Sequence, residues 1–420
     1  MPALLLVLAC GPPRESPPPK PIALTPCVVE GLDARCGSLT VFEDRAARTG
    51  RTIALNIVVL PARGGTPERD PIFYLAGGPG QAATTLATRP LVDSSLHERR
   101  DLVFVDQRGT GASNPLECEL PGSPADPQGY LDEVFQVGVM EKCRDRLAAR
   151  ADVRHYTTAA AADDLDDVRA ALGYSRINLS GGSYGTRAAL TYMRRHPTRV
   201  RSAVLNGVAP PALRNPLFHA RESQAALDGL FDECAADSSC RAAFPRLREE
   251  LQSVLARLDR EPARVSLSLP TATAPVAARL SRYAFADTIR MMMYRVEGSR
   301  RVPLAIHQAS RGDFSMLVQR AVEQRQSNAR LAHGMLLSTT CQEDVVRIRD
   351  EDIPGLTAKT FLGQALRSLP NGRHIVVPGA HGVGGPCIRQ IIRDFSAAGS
   401  AKGLATACTA DIRLPPFVIR

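Results

Sequence analysis

Ser183 lies in a G-x-S-x-G run, Gly181-Gly182-Ser183-Tyr184-Gly185. An apolar stretch, Ile177-Asn178-Leu179, precedes the run and an alanine-rich stretch, "TRAAL", follows it. A strand that turns sharply into a helix at a serine holds the hydroxyl at the tip of the turn. Glycines flank the serine there because the turn strains the backbone and the helix must pack closely on the strand. A hydroxyl presented in this way is a nucleophile for acyl transfer. A Gly/Ser-rich loop is the bland alternative, and the flanking strand and helix argue against it.

A serine nucleophile needs a base. In the strand–turn–helix arrangement the partners follow in the order Ser, acid, His. The histidines are His97, His155, His196, His219, His307, His333, His374 and His381. His381 comes late, directly after the apolar run Ile375-Val376-Val377 and on a glycine-rich loop, so it is the expected general base. His374 begins the same run and is expected to face solvent. His196, before Pro197, reads as a helix end. The oxyanion of the tetrahedral intermediate needs two N–H donors. Tyr184, the residue after the nucleophile, should give one. The other should come from the loop after "IFYL", where "AGGPG" places Gly77 and Gly78 for close backbone approach and Pro79 stiffens the loop. A plain turn is the alternative for that loop.

These groups need a sheet to hold them. "GSLTVFED" and "TIALNIVVL" alternate in the manner of antiparallel strands. "PIFYLAGGPG" and "DLVFVDQRGTGAS" are apolar runs that end in turn residues. A helix is expected from Thr158 through "AAAADDLDDVRAAL", capped by Thr157 or Thr158 and ended by Gly173. "RSAVLNGV" is one more buried strand. Strands alternating with helices imply an α/β fold with a mostly parallel sheet covered on both faces. From Ala209-Pro210-Pro211 to about residue 340 the pattern becomes amphipathic helix, as in "LREELQSVLARLDR". The expected organisation is therefore a tether over 1–22, a sheet domain formed by 23–210 and 341–420, and a helical cap over 211–340.

Five motifs now fall into register: "YLAGGPG", "VFVDQRGTGASNPLEC", "NLSGGSYGTRAAL", "CQEDV" and "LPNGRHIVVPGAHGVGGPC". Together they resemble the proline iminopeptidase and tripeptidyl aminopeptidase family of serine peptidases, in order across most of residues 25 to 408. The resemblance implies an α/β-hydrolase sheet with a helical cap, and cleavage of residues or short peptides from free N-termini without a cofactor. It also implies that Ser183 is the nucleophile, His381 the base, Gly78 and Tyr184 the oxyanion donors, and that Asp106 and Arg108 brace the site. An enzyme that reads a free α-amine needs a carboxylate near the cap. Glu343 in "CQED" is the candidate for that substrate-binding role, with a solvated acidic turn as the alternative. One part departs from the family. The strand that should end in the catalytic Asp has no counterpart between Cys341 and the last apolar run, and nothing in the flanks of Asp350 or Asp352 puts either at a strand end. Impaired turnover is expected on that ground.

Composition narrows the remaining classes. The net charge is +9, but only Lys20, Lys142, Lys359 and Lys402 are lysines, and the arginines are spread along all 420 residues. No dense basic tract with interleaved aromatics appears, so nucleic-acid binding is disfavoured. The opening "MPALLLVLACGPPRESPPPKP" has an apolar run too short to span a bilayer. It resembles a lipoprotein signal with Cys10 as the lipidated residue, followed by a proline-rich tether. Setting Cys10 aside, the cysteines form near neighbours: Cys27 and Cys36, Cys118 and Cys143, Cys234 and Cys240, Cys387 and Cys408. Local disulfides in an oxidising compartment are expected, with Cys341 left over. There is no C-x-x-C and no His/Cys cluster, so no metal site is expected. The leading expectation is an exported serine hydrolase of the aminopeptidase type. An esterase on the same fold and a catalytically degenerate, membrane-tethered binding protein are the alternatives.

Overall fold

The computed structural model describes residues 20–64, 66–88, 95–269, 274–349 and 385–419. Within them seven strands form one sheet in the order β1-β2-β3-β5-β4-β6-β7. The strands are β1 (Thr25–Val29), β2 (Leu32–Phe42), β3 (Thr52–Leu60), β4 (Ile72–Leu75), β5 (Leu102–Val105), β6 (Ile177–Gly182) and β7 (Val200–Asn206). The first three are antiparallel, and β3 pairs antiparallel with β5. β5, β4, β6 and β7 run parallel.

The alternation of β3 explains its placement. Ile57 and Val59 pack with Phe73, Val103 and Leu179 on one face, while Val58 and Leu60 pack with Ile72, Leu102 and Phe104 on the other. Both faces are therefore covered, as a parallel sheet requires. Helices α1 (Val137–Ala148), α2 (Thr158–Ala171) and α3 (Tyr184–Arg195) belong to this part of the chain. Thr157 caps α2, its side chain accepting from Ala160 N–H, and Gly173 leaves the helix at φ +82°, as its sequence predicts.

A second core gathers apolar residues between Leu227 and Val322, together with Tyr130 and Leu131. It is built from α4 (His219–Ala236), α5 (Ser238–Ala243), α6 (Leu247–Arg260), α7 (Arg282–Met292), α8 (Val296–Ser299), α9 (Val302–Ser310) and α10 (Ser315–Asn328). A two-stranded antiparallel ribbon of β8 (Ala263–Leu267) and β9 (Val276–Leu280) adds to it. The following helix, α11 (His333–Glu343), returns to the sheet: Ala332 and Met335 pack among the core residues of β3, β4 and β6. A short 3-10 turn over Val345–Arg347 follows it.

Helix α12 (Pro386–Ala398) lies against β7, where Arg201 donates to the carbonyls of Ser396 (2.8 Å) and Ala397 (2.9 Å). The chain then crosses to the cap, where Val418 N–H donates to Arg300 C=O at 3.0 Å and the Arg300 guanidinium lies 4.3 Å from the Phe417 ring centre. The disulfides Cys27–Cys36, Cys118–Cys143, Cys234–Cys240 and Cys387–Cys408 are formed, and Cys341 is free. Among the described residues no helix is long and apolar enough to cross a membrane.

Candidate active site

β6 ends at Gly182 and α3 begins at Tyr184, so Ser183 is the whole of the turn between them. Its backbone sits at φ 54°, ψ −123°. A non-glycine residue rarely adopts this conformation, which costs about 1–3 kcal/mol and persists only where the surroundings enforce it. Here the Ser183 N–H donates to Asn206 C=O of β7 (2.9 Å), and its own carbonyl accepts from the N–H (2.9 Å) and hydroxyl (2.6 Å) of Thr186. The flanking glycines are needed for close approach. A Cβ on Gly185 would collide with the Leu75 carbonyl oxygen at the end of β4, and one on Gly181 would lie 2.5 Å from the Gly185 carbonyl oxygen.

The parallel register puts Leu75 beside Gly181, so the loop leaving β4 runs next to the turn. A Cβ on Gly77 would sit 3.4 Å from the Ser183 Cβ, which shows how near that backbone comes. Gly78 follows at φ +105°, a conformation that favours glycine. Tyr184 is the first residue of α3, and its N–H is one of the donors that a helix leaves without an intrahelical acceptor. Ser183, Gly77 and Gly78 also share the wall of one cavity of about 650 Å³, roofed by α7, α8 and α10 of the cap. That volume suits a small molecule or a short peptide end. Its lining residues include the acidic Asp132, Asp287, Glu297 and Glu323 and the basic Arg295, Arg301, Arg320 and Arg325. No histidine of the described residues lines it.

Asp106 and Arg108 hold the frame behind this wall. Asp106 accepts from the N–H (3.0 Å) and hydroxyl (2.9 Å) of Thr84, from Asn56 Nδ2 (2.9 Å) and from Ala112 N–H (3.2 Å). It thereby ties the end of β5 to the segment after β4. Arg108 is fully buried and forks onto Asp164 of α2 at 2.6 and 2.8 Å, while donating to the carbonyls of Glu43 and His155 at 2.8 Å each. A bidentate, charge-assisted pair of this kind fixes orientation as well as adding energy.

Glu343 lies elsewhere. It closes α11 and is not among the residues lining the cavity. Its Oε1 accepts from Thr158 N–H at 2.5 Å, its Oε2 accepts from the Thr158 hydroxyl at 2.8 Å, and Arg187 Nη1 stands 3.8 Å from Oε2. The next residue, Asp344, is buried and takes Arg187 Nη1 at 3.0 Å and Arg347 Nη2 at 2.9 Å. The "CQED" motif is thus the end of a helix clamped to the elbow, not a solvated turn, and its carboxylates are already engaged. His381, Asp350, Asp352 and Cys10 lie outside the described residues. Sequence inspection missed Thr158 and Gln107, which surround the Tyr184 hydroxyl, because they sit far from the motif in the chain. Burial pushes the Tyr184 phenol up to about 12, so it stays a hydrogen-bond donor.

A family model described as the alpha/beta hydrolase fold matches residues 70–331. The serine protease Hip1 of Mycobacterium tuberculosis is 28% identical over 245 residues, covering 53% of this chain and 46% of that protein. Tripeptidyl aminopeptidase of Streptomyces coelicolor is 32% identical over 198 residues, covering 42% and 36%. Carboxylesterase B of Mycobacterium tuberculosis is 31% identical over 228 residues, covering 50% and 43%. The chain therefore matches less than half the length of each of these relatives.

Proposed function

The chain belongs to the alpha/beta hydrolase family, and from that premise we propose that it removes residues or short peptides from free N-termini through an acyl-enzyme on Ser183. The observation that carries the proposal is Ser183, held at φ 54° at a strand–helix elbow and facing a roofed cavity. In this reading His381 takes the Ser183 proton as the hydroxyl attacks the scissile carbonyl, then gives it to the leaving amine. The N–H groups of Gly78 and Tyr184 receive the oxyanion. Water, deprotonated by the same imidazole, then releases the acyl group. The roof favours a chain end over a passing polypeptide. Glu343 is held by Thr158, so in this reading the substrate's ammonium group would meet acidic residues that line the cavity, Asp132 and Glu297 among them. The names of two relatives, a serine protease and a tripeptidyl aminopeptidase, support the peptidase assignment. Four disulfides support export, because such bridges persist in oxidising compartments. A lipid anchor at Cys10 remains part of the proposal.

The carboxylesterase-named relative favours a second reading, ester hydrolysis by the same serine. Two measurements decide. A fluorophosphonate should label the parent and not Ser183→Ala; absence of labelling would leave a non-catalytic binding protein. A tripeptidyl p-nitroanilide with a free N-terminus should be cleaved, and its acetylated form should be cleaved poorly. Equal rates on both would remove the requirement for a free N-terminus, and turnover of p-nitrophenyl esters alone would favour the esterase.

A further inference from the structure

We propose that α11 is a strut that sets the position of both oxyanion donors, and that Glu343 is a positioning residue acting through Thr158 on Tyr184. The inference rests on the assignment of Ser183 as nucleophile and goes beyond it. At the start of the helix, Ala332 N–H donates to Gly80 C=O at 3.0 Å, and a Cβ on Gly80 would lie 2.7 Å from the Ala332 carbonyl oxygen. That contact holds the loop containing Gly78. At the end of the helix, Glu343 accepts both the N–H and the hydroxyl of Thr158. The Thr158 hydroxyl also lies 2.8 Å from the Tyr184 hydroxyl.

Proton counting gives this chain a direction. Thr158 has one hydroxyl proton, and the carboxylate takes it. Tyr184 must therefore donate to Thr158 Oγ1, leaving its own oxygen to accept from Gln107 Nε2 at 3.0 Å. Gln107, Tyr184, Thr158 and Glu343 thus form one ordered relay ending on a charge. The first turn of the helix is pinned further: Gly334 N–H donates to Leu116 C=O at 2.7 Å, and Met335 is buried in the sheet core. Arg187, one turn along α3 from Tyr184, bridges to Asp344 beside Glu343. A single helix is therefore fastened at one end to the loop of the first donor and at the other to the side chain of the second. Oxyanion donors act only within a narrow range of distance, so this fastening is catalytically relevant.

Glu343→Gln keeps the size but presents an amide N–H₂ to the Thr158 hydroxyl, which forces the relay to reverse. Thr158→Val and Tyr184→Phe cut it at the next two links. Removing an oxyanion donor outright costs about 10²–10³ in kcat, so displacing one should cost about tenfold. Each variant is expected to lower kcat by about tenfold on the free tripeptidyl p-nitroanilide, with KM and the preference for free over acetylated N-termini unchanged. Glu343→Gln combined with Tyr184→Phe should lose no more than either alone, because both break one unit. Fluorophosphonate labelling of the same samples, taken to completion, reports Ser183 separately. A parent that is not labelled at Ser183 defeats the nucleophile assignment and the strut with it. A fully labelled parent defeats the strut alone if kcat is untouched, if the two losses multiply, or if Glu343→Gln raises KM for the free amine only. Should Glu343→Gln fail to fold, Tyr184→Phe carries the same kcat test from the other end of the relay.

Discussion

At Ser183 a local conformational cost and the chemistry meet in one residue. Its φ of 54° costs about 1–3 kcal/mol in a side-chain-bearing residue. The bonds to Asn206 and Thr186 hold it there. Glycine adopts such angles freely but loses more entropy on folding, roughly 0.5–1 kcal/mol. Ser183→Gly should therefore raise stability, by about 1 kcal/mol net, while abolishing acyl transfer. Denaturant unfolding alongside fluorophosphonate labelling checks both halves. A less stable Ser183→Gly protein would mean that the turn is not strained.

Two elements meet at Gly185, where α3 crosses the end of β4 with no room for a methyl group. Gly185→Ala pushes the helix off the strand, or bends the strand away from it. Overpacking of this kind costs about 1–3 kcal/mol. The same displacement moves the Tyr184 N–H relative to the loop that follows β4, so kcat should fall more than KM rises. The comparison is with Gly138→Ala on α1, where an added Cβ meets nothing within 4 Å. That change should leave activity intact and stability equal or slightly higher. Equal behaviour of the two variants would remove close helix–strand packing as the reason for glycine at 185.

Across the whole molecule, the C-terminal segment links the two cores. It starts on β7 through α12, is closed on itself by Cys387–Cys408, and ends on the cap with Phe417 against Arg300. Replacing Cys387 and Cys408 by alanine removes a closed loop of 21 residues, worth about 3 kcal/mol in the chain-entropy account. Cap and sheet should then melt less cooperatively, as two calorimetric transitions in place of one. A single unshifted transition would show that the segment does not couple them. Of the cysteines in the described residues, Cys341 alone should react with iodoacetamide before reduction.

Much of this molecule is readable from local sequence. The antiparallel entry of β3, the cap of α2 at Thr157 and the elbow at Ser183 depend on alternation, capping and glycine spacing, which act over a few residues. The paired cysteines are close enough in the chain for local bridging to be the simplest expectation. What only the tertiary structure decided was distance between remote segments. "CQED" reads as an acidic motif near a cap, and its sequence cannot reveal that α11 returns to the sheet and delivers Glu343 to Thr158, 185 positions away. Nor could the sequence show that the acidic residues sharing a cavity with Ser183 come from a loop near residue 132 and from cap helices. A motif carries the identity of its side chains. Which of them meet solvent, substrate or one another is set by how the layers pack, and that is a property of the whole chain.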